Sequence, residues 1–284
     1  MKKTVSLVLG SGGARGYAHI GVIEALEEKG YEITSISGSS MGALVGGIYA
    51  AGKLPELKKW LLSLDWIEVL KLVDFSFSTD GMIKGDRVFE HIEKIVGKVN
   101  IENLSIPFTA VATNLNTQKP VWFQKGDLLD AIRASVAIPT ILTPKKIGEQ
   151  SLVDGGILTP LPTMPVLANH SAYTIAVNIH ADDDPSLEKS QKGFENNSIQ
   201  EKITSYLKEN LFEQNEQELN SFRIISKSIE TMQNLLIRYE IAAHEPDLVI
   251  EIPKNICDFY DFHKSEMLIA FGKKRALEVL EKIS

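Results

Sequence analysis

A three-layer α/β fold, with a mainly parallel central sheet flanked by helices, is what this sequence predicts on three observations. Strand-like and helix-like runs alternate from the N-terminus with short joints: "TVSLVLG", "YAHIGVIEALEEKG", "ITSISG" and "MGALVGGIYAAG" succeed one another between residues 4 and 52. The strand-like runs are short, apolar and rich in β-branched residues, as strands covered on both faces are. The chain has 284 residues, 44% hydrophobic and 24% charged, which suits a large packed core in one ordinary globular domain.

The elements follow in order. "TVSLVLG" is a buried strand closed by Gly10, and "YAHIGVIEALEEKG" places Ile20, Ile23 and Leu26 at helical spacing before Gly30 ends it. "ITSISG" is the second strand. "MGALVGGIYAAG" is apolar all round and rich in Gly and Ala, so it predicts a helix buried at close range. Residues 54–73 carry Trp60, Leu61, Leu64, Trp66, Ile67, Leu70 and Val73, an amphipathic helical segment with a bend near Asp65. "PFTAVATNL" and "KPVWFQ" read as strands, "DLLDAIRAS" as a helix stopped before Pro139, "QSLVDGG" as a strand entering a glycine turn, and "AYTIAVNIH" as another buried strand. From about 182 to 219 the composition turns to charge, Asn and Gln, which predicts an insertion leaving the core and mobile at its start. A helix over about 222–243, the strand "DLVIEIP" and the helix "SEMLIAFGKKRALEVLEKI" return to the core, making 1–284 a single domain with one charged insertion.

The bulk numbers exclude several classes. A net charge of -7 argues against nucleic acid as a partner and weakly against docking to anionic lipid by charge alone. Cys257 is the single cysteine, so no internal disulfide can form and a reducing compartment follows; a small buried hydrophobe is its simplest role. The two lysines at the N-terminus precede an apolar run that glycine and arginine interrupt, and no run approaches the ~20 apolar residues that cross a membrane. The expected location is the cytoplasm.

Three stretches carry chemistry. "GSSMG", residues 38–42, fits Gly-x-Ser-x-Gly on a strand-to-helix turn, where flanking glycines expose the Ser40 hydroxyl at a helix N-terminus; a plain N-cap serine is the competing reading. "GSGGARG", residues 10–16, lacks the third glycine of a dinucleotide fingerprint, because Arg15 stands there, and lacks the Gly-Lys-Ser/Thr of a phosphate loop. What remains is a nest of backbone N–H groups, which in an acyl-transfer enzyme is an oxyanion hole. "LVDGG" brings Asp154 to the same edge of the sheet. A bare aspartate, near pKa ~3.9, is a poor base, whereas a desolvated one can orient the hydroxyl and take its proton; a turn-forming Asp-Gly is the alternative.

Histidines compete for the role of base, and His19, His170, His180, His244 and His263 are the candidates for a Ser-His-Asp hydrolase. In an α/β-hydrolase the nucleophile follows several strands, and here it follows two. Arg15 and Arg133 lie near the expected active loops, either as phosphate-headgroup ligands or as clamps on loop carbonyls and carboxylates. The Trp60/Trp66 segment reads either as an interfacial cap reaching a membrane or as a helix packed on the core. A non-catalytic lipid-headgroup-binding regulator is the rival outside enzymology.

The sequence resembles the patatin-like phospholipases, compact bacterial members among them, through "GSGGARGYAHIGVIEAL", "GSSMGALVGGIYAAG", "IRASVAIPTILTP" and "LVDGG", in that order. The resemblance implies a patatin-like fold and a serine carboxylic-ester hydrolase that releases fatty acid through an acyl-enzyme, without cofactor or metal. It implies a Ser-Asp dyad of nucleophile Ser40 and base Asp154, with the amides of Gly12, Gly13, Ala14 and Arg15 as the oxyanion hole. Phospholipid, lysophospholipid or simpler fatty-acyl esters are the substrates it implies. The run after Asp154 departs from the family, with Thr159 and Pro160 where an asparagine is common, and the 182–219 stretch is long and charged for a compact member.

Overall fold

A computed structural model describes residues 3–64, 67–69, 85–139, 141–187 and 216–282. Eight strands form one sheet: β1 (Lys3–Leu9), β2 (Tyr31–Ser39), β3 (Phe108–Asn114), β4 (Lys119–Phe123), β5 (Lys145–Ile147), β6 (Gln150–Asp154), β7 (Tyr173–Ala181) and β8 (Leu248–Pro253). Their order is β5-β6-β3-β2-β1-β7-β8, with β4 also paired to β3. Among the described residues, the helices that accompany them include α1 (Ala18–Glu28), α2 (Met41–Ala50), α3 (Leu54–Ser63), α4 (Asp86–Val96), α5 (Leu128–Ser135), α6 (Glu216–His244) and α7 (Ser265–Leu280).

The sheet is mixed. Strands β3, β2, β1, β7 and β8 pair in parallel, as the alternating sequence pattern predicts, while the β3–β4, β3–β6 and β5–β6 pairs are antiparallel. For β4 the reason is connection length: only residues 115–118 join β3 to β4, and a parallel partner needs a crossover of a dozen residues or more. The parallel strands are the buried ones, with Val5, Leu7, Val8 and Leu9 fully enclosed, and α1 and α7 pack together over one face.

Several elements differ from the sequence reading. α4 has no counterpart there, because its apolar residues alternate with charges on a helix that buries only Ile92. α3 stops at Ser63, and Leu64 is extended; Asp65 and Trp66, and with them the expected bend, lie outside the described residues. The first residues of the charged stretch are pinned: the Asp184 N–H donates to Asn255 Oδ1 and Asn255 Nδ2 returns a bond to the Asp184 carbonyl, both at 3.0 Å. Of the rest of that stretch, residues 188–215 lie outside the described residues, and α6 has begun by Glu216. Among the described residues no helix is long and apolar enough to cross a membrane.

One feature of the topology positions the site. β2 and β6 lie along the same edge of β3, end to end and in opposite directions: Ser39 pairs with Val111, and Asp154 pairs with the next residue, Ala112. The C-terminal ends of the two strands therefore meet head-on.

Candidate active site

Ser40 occupies the turn between β2 and α2 with φ 55° and ψ -124°, a conformation that L residues avoid and that holds roughly 1–3 kcal/mol of strain. The turn is tight because α2 starts immediately and lies against the end of β1. A Cβ on Gly42 would sit 2.1 Å from the Leu9 carbonyl oxygen, and one on Gly16 would meet Met41 Cβ at 2.3 Å. The Ser40 carbonyl starts the helix by accepting from the Ala43 and Leu44 amides. Its N–H donates to Ser135 Oγ at 2.9 Å, and the Ser135 hydroxyl donates onward to the Val111 carbonyl at 2.6 Å.

The Ser40 hydroxyl donates to Asp154 Oδ2 at 2.5 Å. The other carboxylate oxygen, Oδ1, accepts the Gly156 N–H at 2.7 Å, and the Asp154 N–H is held by the Ala137 carbonyl at 2.9 Å. Asp154 is only 4% exposed, and among the described residues no cation is paired with it. Burial pushes its carboxyl up from the usual range to about 7, while the bonds from Ser40 and Gly156 pull the other way. An aspartate in that range is matched to proton transfer near neutrality.

The glycine loop packs beside both residues. Gly42 abuts the carbonyls of Leu9 and Gly10, and a Cβ on Gly156 would come within 2.7 Å of Ser11 Oγ. Gly12 (φ 154°) and Gly13 (φ 59°) carry the backbone through regions that suit glycine. Of the four amides named from sequence, that of Ala14 donates to the Phe259 carbonyl at 2.9 Å. Ser11 N–H is anchored on the Pro160 carbonyl at 2.8 Å, so the run that departs from the family pattern supports this loop directly.

Neither arginine presents a free guanidinium. Arg15, 1% exposed, donates to the Gly12 carbonyl at 3.3 Å and to Glu230 at 2.9 Å. Arg133 donates twice to Thr143, at 3.0 Å each, and lies 5.4 Å over the Phe89 ring. Both act as clamps here. Trp60 stacks on His91, centroids 4.4 Å apart, and packs against the main core.

The histidines are placed elsewhere. His19 Nε2–H donates to the Gly10 carbonyl at 2.8 Å, and burial lowers its pKa to about 4, so it stays neutral. His180 lies behind Gly12, lowered to about 3 by burial and by the Arg15 charge, and His244 bonds Thr163. The Ser40 hydroxyl is given to a carboxylate and not to an imidazole.

The sequence reading missed four supporting residues. Ser135 and Ala137 lie in "IRASVAIPTILTP", a stretch that carries the family resemblance, and between them they hold the backbones of Ser40 and Asp154. Glu230 and Gln233 lie on α6, Gln233 donating to the Gly156 carbonyl at 3.1 Å; nothing local in their sequence signals a site some 75 residues away from its nearest other member.

Comparisons with known proteins bear on the family and the fold. A family model described as patatin-like phospholipase matches residues 7–167. An uncharacterized NTE family protein of Mycobacterium tuberculosis (strain ATCC 25618 / H37Rv) is 36% identical over 98% of this chain and 91% of its own. Lysophospholipase NTE1 of Debaryomyces hansenii is 35% identical over 64% of this chain, which matches only 12% of that long protein. Among solved structures, VipD from Legionella pneumophila aligns with a TM-score of 0.50 over 99% of this chain and 67% of its own, at 14% identity, a likeness of fold.

Proposed function

We propose, for this chain, which belongs to the patatin-like phospholipase family and is a serine ester hydrolase of the lipid acyl class, that Ser40 and Asp154 carry the reaction as a two-residue catalytic unit. Ser40 Oγ attacks the ester carbonyl carbon as Asp154 takes the hydroxyl proton. The amides of Gly12 and Gly13 receive the developing oxyanion. The tetrahedral intermediate collapses, Asp154 protonates the departing alcohol, and the acyl group remains on Ser40. Water then attacks the acyl carbon, giving its proton to Asp154, and fatty acid leaves as Ser40 regains its hydrogen. The 2.5 Å bond between a strained serine and a buried carboxyl carries this reading.

Phospholipids, lysophospholipids or simpler fatty-acyl esters are the substrates we infer; the Debaryomyces relative named a lysophospholipase supports the second. We take residues 1–284 as one domain with a charged insertion at about 182–219. Peripheral, transient contact with membranes is the proposed route to substrate. The buried, free Cys257 supports a cytoplasmic location, and the net charge of -7 supports a protein with no nucleic-acid partner.

The test is mass-spectrometric mapping of a fluorophosphonate adduct. The adduct is expected on Ser40, with Asp154→Asn slowing its formation and ester turnover on the order of 10⁴-fold. Turnover should rise with pH through about 7, because Asp154 accepts a proton only when ionised. A folded Asp154→Asn protein with wild-type turnover overturns the dyad.

A further inference from the structure

We infer that Glu230, on α6, is a positioning residue for the oxyanion hole, acting through Arg15 on the peptide that joins Gly12 to Gly13. The inference rests on the Ser40–Asp154 reading and adds to it the group that sets the direction of one oxyanion donor.

In a trans peptide the carbonyl and the following N–H lie in one plane and point opposite ways, so holding the Gly12 oxygen fixes the direction of the Gly13 N–H. Arg15 Nε holds that oxygen at 3.3 Å, drawing it toward the protein interior and turning the Gly13 amide the other way. The Gly13 amide opens the 3-10 turn of residues 13–17 and has no backbone partner among the described residues. Glycine at 12 and 13 leaves this peptide free to rotate, so an external restraint decides where it points.

Arg15 needs its own restraint, because a guanidinium buried to 1% exposure without a counter-charge is costly. Glu230 supplies it at 2.9 Å, approaching from α6. Burial raises the Glu230 carboxyl, but the bonds from Lys227 and the charge of Arg15 outweigh burial and hold it at about 2, so the carboxylate keeps its charge across the working range. Three residues further along the same helix, Gln233 holds the carbonyl of Gly156, whose N–H binds Asp154. One turn of α6 thus braces both the loop that receives the oxyanion and the turn that holds the base.

Glu230→Gln, Glu230→Asp and Glu230→Ala are compared with wild type on a soluble p-nitrophenyl ester, with Arg15→Gln, the double variant Arg15→Gln/Glu230→Gln and Asp154→Asn beside them, and melting temperatures taken throughout. We expect Glu230→Ala to lower kcat about 10- to 100-fold, less than deletion of a donor outright, with KM moving less than about twofold. Glu230→Asp, which keeps the charge, should recover part of the loss, and the double variant should be no slower than its slower parent, since both changes break one relay. If Glu230→Ala misfolds, the near-isosteric Glu230→Gln decides. A folded Glu230→Gln with wild-type kcat, a loss confined to KM, or multiplicative losses in the double variant each overturn the relay. Wild-type turnover in Asp154→Asn instead overturns the dyad, so the two failures are separable.

Discussion

The two halves of the site hold their tension in different currencies. At the Ser40 turn it is backbone geometry: a non-glycine residue at φ 55°, locked by the close approach of Gly42 to Leu9. At the Asp154 turn the backbone is ordinary, φ -47° and ψ 132°, and the tension is electrostatic, in a carboxyl kept from water and raised to about 7. In the proposed dyad neither half would work alone. A strained serine without a base has a hydroxyl of ordinary acidity, and a desolvated aspartate without a donor would have a higher pKa still, since the bond from Ser40 lowers it.

Three substitutions test that contrast on stability. Gly42→Ala should have the largest effect, above about 3 kcal/mol, because the new Cβ meets main chain that can only move by shifting β1; chemical denaturation measures it, and a loss below 1 kcal/mol would show that the turn relaxes easily. Ser135→Ala should cost about 2 kcal/mol by leaving the buried Ser40 N–H without its acceptor. Its turnover should fall as well, since the Ser40 backbone loses an anchor; unchanged stability would mean that the strain is held by packing alone.

Asp154→Asn should go the other way. The native carboxyl is raised from 3.8 to about 7, so its neutral form favours the fold, and this contribution, complete below pH 3.8, is lost as pH rises through 7. Over that window the wild type should lose stability relative to Asp154→Asn. At about 1.4 kcal/mol per pKa unit the ceiling is about 4 kcal/mol. The added amide N–H needs a partner, which reduces the net gain at pH 8 to about 1–2 kcal/mol. Melting curves of both proteins at pH 4 and pH 8 check the sign, and a pH-independent difference would remove the electrostatic account.

Much of this was legible in the chain. The alternation over residues 4–52 predicts the parallel strands and the first two helices, because hydrophobic period and glycine punctuation are local signals. "GSSMG" is legible for the same reason, since the steric demands of a sharp turn are written in its own five residues. The antiparallel strands were less so: "QSLVDGG" reads as a strand ending near the site, but not as one that meets β2 head-on.

By itself the sequence determined the strand-turn-helix frame, the identity of the nucleophile candidate and, through four short motifs in order along the chain, the likeness to a family; each of these signals is local to its own stretch. Tertiary structure decided how Ser40 and Asp154, 114 residues apart and expected as a pair from the family resemblance, reach hydrogen-bond contact, and it alone decided the use of the Arg15 and Arg133 guanidinium groups on loops. It alone also decided the bracing of the glycine loop by Glu230, 215 residues beyond Arg15. Such contacts depend on which strand edge and which helix turn meet in space. No local pattern encodes that, because burial and hydrogen bonding are satisfied between segments and not within them.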